Sequence, residues 1–130
     1  MGLQEKRRIK MLQDEVLPRK KEEVKELCGA DIEWEIDWES LSDDMPALDN
    51  FESQGIQKVI EVLYDCCCDD IGKEAVAAGL KKIILKNHKD PAMKKNVFKD
   101  GVLEVHAAWG ASWDGYPENY EIKQVLEGGL

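Results

Sequence analysis

Carboxylates alternate with large apolar side chains over residues 31–39, Asp-Ile-Glu-Trp-Glu-Ile-Asp-Trp-Glu, and this spacing is the chain's clearest chemical signal. Period-two alternation predicts a half-buried strand, with Ile32, Trp34, Ile36 and Trp38 on one face and Glu33, Glu35, Asp37 and Glu39 on the other. Same-face neighbours stand about 7 Å apart, so each adjacent pair repels by about 0.6 kcal/mol in water. Physiological salt removes more than half of that. Burying Trp34 and Trp38 outweighs it, since each indole contributes at most about 4–6 kcal/mol. The row folds without special provision. Two readings stand side by side. One is an ordinary solvated sheet face neutralised by Lys82, Lys86 and Lys99 on neighbouring strands. The other is a docking surface for a cationic partner, extended by Asp43 and Asp44. Evenly spaced strand carboxylates diverge, so a metal site is not expected.

Glu104 and His106 are a second candidate, two apart on the outer face of an expected strand. A carboxylate can orient an imidazole there, and Glu35 beside them would complete a primitive acid–base site. No nucleophile and no glycine-rich turn is tied to them, so a polar surface pair is the simpler account. Cys66, Cys67 and Cys68 are consecutive and Cys28 stands far away, which is neither a disulfide framework nor a metal motif. Reactive thiols need nearby cations or a helix N-terminus. The triplet instead ends a helix beside Asp65, Asp69 and Asp70, so reduced thiols packed in the core, with one exposed, are expected. Lys6, Arg7, Arg8 and Lys10 could touch phosphates, but in this acidic chain they are expected to meet its own acidic segment or water. Trp109, Trp113 and Tyr116, around Gly110 and Gly115, fit either a ligand platform or a cover over one end of the core. Trp109 suits the cover.

The elements that position these groups follow from periodicity and punctuation. Residues 3–28 read as helical, interrupted at Pro18 by either a break or a kink, with Gly29 as a left-handed stop. Residues 40–50 read as a polar connection with room for one helical turn at Leu41, Met45 and Leu48. Ile56, Val59, Ile60, Leu63, Cys66 and Cys67 form one helical stripe over 53–67. A helix over 70–78 follows, capped by Asp69 or Asp70 and stopped by a left-handed Gly79. Strands are expected over 81–87, 97–99 and 102–108. Asp100-Gly101 forms the two-residue hairpin that sets Phe98 opposite Leu103, and a last helix spans 117–127.

The net charge of −9 is concentrated. Residues 1–25 carry eight basic against five acidic groups, residues 26–53 carry none against ten, and residues 54–130 carry ten against twelve. Such a surface repels nucleic acid and anionic membrane and attracts basic proteins. Hydrophobic content of 43% in 130 residues suits one folded domain, and no apolar run is long enough to span a bilayer. A charged N-terminus without an apolar segment is not a secretory signal, so a cytoplasmic location is expected. No P-loop, dinucleotide, zincin, hydrolase-elbow or EF-hand motif occurs, and no cofactor is expected.

The sequence thus predicts one α+β domain, residues 1–130. It has a largely antiparallel sheet of three or four strands, one face under about four helices and the other solvated and acidic. The function expected first is a small acidic protein of inhibitor or immunity type. It would bind a basic protein through Glu33, Glu35, Asp37, Glu39, Asp43 and Asp44. The alternatives are a structural or regulatory subunit acting as a homodimer, and a small enzyme using Glu104 and His106.

Overall fold

Helical periodicity in the first 28 residues produces one continuous helical arm. The computed structural model describes residues 2–111 and 113–130, and of Trp113 only the backbone. Helix α1 (Leu3–Met11) passes through a π-helical turn (Leu12–Val16) into α2 (Leu17–Cys28) without a break. Pro18 explains the turn. Its ring and missing N–H disrupt the α-helical ladder one turn back, and widening that turn relieves the clash. Gly29 stops α2 in the left-handed conformation, at φ 68°.

The alternating segment forms β1, but only over Glu33–Ile36. Trp38 leaves the strand and starts a 3₁₀ turn (Glu39–Leu41), which Ser40 fixes by donating from Oγ to the Asp37 carbonyl at 2.6 Å. The Trp38 indole still reaches the core, edge-on to Phe51 with ring centroids 6.0 Å apart. Glu39 therefore does not extend the strand's carboxylate row. Residues 40–50 hold more structure than a loop. Asp44 caps α3 (Met45–Asn50) by accepting from the Ala47 N–H, and a π-helical turn (Phe51–Ile56) joins α3 to α4 (Gln57–Cys66). Helix α5 (Asp70–Gly79) is capped by the Asp69 side chain, as its composition suggests. Gly79 is not left-handed: the helix runs through it, and Leu80 exits extended and buried.

Strands β2 (Lys82–Asn87), β3 (Lys95–Lys99) and β4 (Val102–Ala107) complete a four-stranded sheet in the order β1-β2-β4-β3. The expectation of a largely antiparallel sheet is overturned. Strands β1, β2 and β4 are mutually parallel, and only β3 runs against β4, so the sheet is mixed. The reason is connectivity. Helices α3–α5 carry the chain from β1 back to the start of β2, which is what a parallel pair requires. The outer strand β3 then returns the chain so that β4 enters between β2 and β3. The Asp100-Gly101 hairpin forms as expected, with φ 54° and 81°, and pairs Phe98 with Leu103. Helix α6 (Asn119–Gly129) begins with a capping box between Glu118 and Glu121, starting and ending two residues later than its pattern suggests.

All of this is one α+β domain. Trp34, Ile36, Ile83, Leu85, Leu103, Val105 and Ala107 face the helices together with Leu63, Ile122 and Leu126 in a single core. Trp109, fully buried, stacks edge-on against Phe51 at 5.0 Å and donates from its indole to the Gln54 carbonyl. No described helix is long and apolar enough to cross a membrane.

Candidate functional site

Strand pleating turns alternate residues of all four strands away from the helices, and register lines them up in rows. Glu33, Lys82, Val102 and Lys99 form one row; Glu35, Ile84, Glu104 and Val97 form the next. Lys86, His106 and Lys95 form a third, with Asp37 beside Lys86. This open face carries four carboxylates and four lysines. It is balanced in charge, not uniformly acidic: Glu33, Glu35 and Asp37 lie on β1 and the residue after it, and Glu104 lies on β4.

The carboxylates meet the lysines that β2 supplies. Lys82 Nζ lies 3.0 Å from Glu35 and 4.0 Å from Glu33, and Lys86 Nζ lies 3.9 Å from Asp37. The Glu35 carboxylate, by hydrogen bond first, raises the Lys82 pKa against its slight desolvation. Lys99 is on the same face but three strands away from β1, so it does not serve this row. The carboxylates remain accessible: the Glu33 side chain is 69% exposed, Glu35 57% and Asp37 37%. Exposed pairs of this kind contribute about 0–1 kcal/mol each, so a partner's cation can displace them.

The other three acidic candidates separate. Glu39 is exposed in the 3₁₀ turn and makes no ion pair among the described residues. Asp43 reaches Lys89 at 3.4 Å. Asp44 is turned inward: one oxygen caps α3 and the other accepts from Asn87 Nδ2 at 3.0 Å. Farther along, Arg8 pairs with Asp49 and Arg19 with Glu52, so the basic arm does meet the acidic segment.

Glu104 and His106 lie on the open face, but His106 engages another residue. Its Nδ1 is 2.8 Å from Nε2 of His88, and the two rings stack at 5.1 Å. His106 Nε2 is buried without a hydrogen-bond partner, 3.7 Å from the Glu104 carboxylate. Burial first, then Lys86 and Lys95, lower the His88 pKa against Asp37. Burial first, then His88 and Lys95, lower the His106 pKa against Glu104. His88 also joins Asp44, Lys89, Gly110 and Ala111 around a small cleft of about 190 Å³ at the carboxyl ends of the parallel strands. That volume is below the roughly 300–1,000 Å³ of small-molecule sites.

Two polar residues that periodicity did not single out organise the same end of the sheet. Asn87, 3% exposed, donates to the Ser40 carbonyl and Asp44, and accepts from the Trp109 N–H. Lys58 is buried in α4, donates to the Pro117 carbonyl at 2.8 Å and lies 4.9 Å over the Tyr116 ring. Burial lowers its pKa against Glu118, Glu61 and Glu121. Tyr116 thus belongs to the cover of the core, as does Trp109; the Trp113 side chain lies outside the described residues. Among the described residues no three His, Cys, Asp or Glu side chains converge to hold a metal. Comparison with protein-family models, curated proteins and solved structures finds no match to this chain.

Proposed function

We propose that this protein is a binding module of inhibitor or immunity type, docking a basic protein partner on its open sheet face. The observation that carries the reading is the uncovered face itself, with the accessible Glu33, Glu35 and Asp37 column along its edge strand. The α-helices pack their core residues against the opposite side, and Ile84, Val97 and Val102 stand partly exposed among the charges. An apolar centre with a charged rim suits protein–protein contact. Arginines on the partner would take the β1 carboxylates in bidentate pairs and release Lys82 and Lys86 toward solvent. Glu39 and Asp43 stand outside that column, in the segment that follows it, and add exposed negative charge there. Asp44 contributes by holding that edge in place, since its own oxygens are occupied.

The test is capture from native extract at low salt with three baits. These are the wild type, the triple variant E33Q/E35Q/D37Q, and a control carrying E22Q, E26Q and D65Q on the helices. The reading expects one species held by the wild type and the control and lost by the sheet variant. A species held equally by all three baits overturns it.

A further inference from the structure

We propose that Cys28 and Cys67 form a dithiol modification site, closing into a disulfide that joins α2 to α4 with a small-molecule disulfide such as glutathione disulfide as oxidant. Cys28 is the last residue of α2 and Cys67 the first beyond α4. Packing of these helices brings their Sγ atoms to 2.6 Å, far inside ordinary non-bonded sulfur contact. A covalent S–S bond is about 2.05 Å, so the two sulfurs already stand within about half an ångström of bonding distance. Both thiols are reduced and buried, at 2% and 1% exposure.

The arrangement singles out one pair from four cysteines. Cys66 points to the other side of α4, 3.8 Å from the Glu127 carboxylate, and Cys68 is exposed. Only Cys67 of the triplet meets Cys28. Burial pushes the Cys67 thiol up to about 12 and raises the Cys28 pKa as well, while Lys73 from α5 draws both down. Reaction is therefore slow at neutral pH, and begins when the terminal turn of α2 opens. The Cys28 thiolate attacks one sulfur of glutathione disulfide, whose S–S bond breaks and releases glutathione thiolate to take up the Cys28 proton. The Cys67 thiolate then attacks the Cys28 sulfur of the mixed disulfide and displaces the second glutathione, which takes the Cys67 proton. Two protein thiols are oxidised and one glutathione disulfide is reduced to two glutathiones.

The test incubates the folded protein with glutathione disulfide, then combines intact mass with peptide mapping under non-reducing conditions. The expected product lacks two hydrogens, carries a Cys28–Cys67 cross-link and melts roughly 10 °C higher, because the bond closes a loop between positions 39 apart. C66S and C68S should retain the cross-link, and C28S and C67S should lose it. Mapping of the wild type decides the matter even where a serine variant fails to fold. Glutathione carried by Cys68 alone, a bond within residues 66–68, or an unchanged mass overturns the proposal.

Discussion

Replacing Asn87 is the sharpest probe of how the acidic edge is held, because one buried amide joins three separate segments. Its Nδ2 donates to the Ser40 carbonyl and to Asp44 Oδ2, each at 3.0 Å, and its Oδ1 accepts from the Trp109 N–H at 3.2 Å. Truncation to alanine removes three hydrogen bonds of about 1 kcal/mol each and leaves the Trp109 N–H buried without its acceptor. The expected loss is about 3–4 kcal/mol, a large share of the roughly 5–15 kcal/mol that holds a domain folded. Asn87→Asp separates this account from simple loss of volume. An aspartate keeps the acceptor for Trp109 but turns a second oxygen toward the Ser40 carbonyl and the Asp44 carboxylate. It should therefore cost more than alanine at pH 7. Below about pH 5 the new carboxyl begins to take up a proton that can serve as the missing donor, so the gap should narrow. Urea unfolding followed by tryptophan fluorescence at both pH values measures all of this. A loss under about 1 kcal/mol for alanine, or an aspartate variant matching alanine at pH 7, would refute the reasoning.

Three further outcomes follow from the geometry. Trp109→Ala should cost about 3–5 kcal/mol in urea unfolding, since the indole is fully buried against Phe51 and its N–H is satisfied by Gln54. His88 and His106 both have pKa values lowered on folding, so the unfolded chain binds more protons just below the ordinary value of 6.5. Their contribution is complete above that value, falls as pH drops through 6.5 toward the folded pKa values, and is flat below them. Unfolding midpoints between pH 8 and pH 5 should show this slope in the wild type and lose most of it in H88Q/H106Q; equal slopes would contradict it. Asp69→Ala should destabilise by about 1 kcal/mol through loss of the bond to the Gly72 N–H, and Asp69→Asn should restore most of that in thermal melts.

The local signals were legible where a single physical rule governs. The Asp100-Gly101 turn fixed the β3–β4 register, and the inward set Leu103, Val105, Ala107 and Trp109 followed from it. The burial of Cys66 and Cys67 and the exposure of Cys68 likewise follow from helical spacing. Alternation over 32–36 marks the strand, but it does not show that Trp38 departs at a turn built by Asp37 and Ser40. Parallel pairing was illegible because nothing in Lys82–Asn87 marks its partners; those are decided by the length and helicity of the connections. For the candidate site, the face of Glu33, Glu35 and Asp37 was readable, and so was neutralisation by Lys82 and Lys86. The capture of Asp44 by Asn87, the meeting of His88 with His106 and that of Cys28 with Cys67 were not. Each joins residues brought together only by the tertiary fold, and no spacing rule reports such encounters.

The docking account is tested most directly by the rate at which the captured partner associates with the protein, measured at about 20 mM and about 200 mM salt. The wild-type rate should fall about tenfold between them, because its steering charge lies on exposed β1 carboxylates. E33Q/E35Q/D37Q, which loses three exposed ion pairs of about 0–1 kcal/mol each and the Asp37 carboxylate that accepts from the Ser40 N–H, should stay folded in urea titration, start slower and change little. A triple variant that associates at the wild-type rate at both ionic strengths would contradict the account.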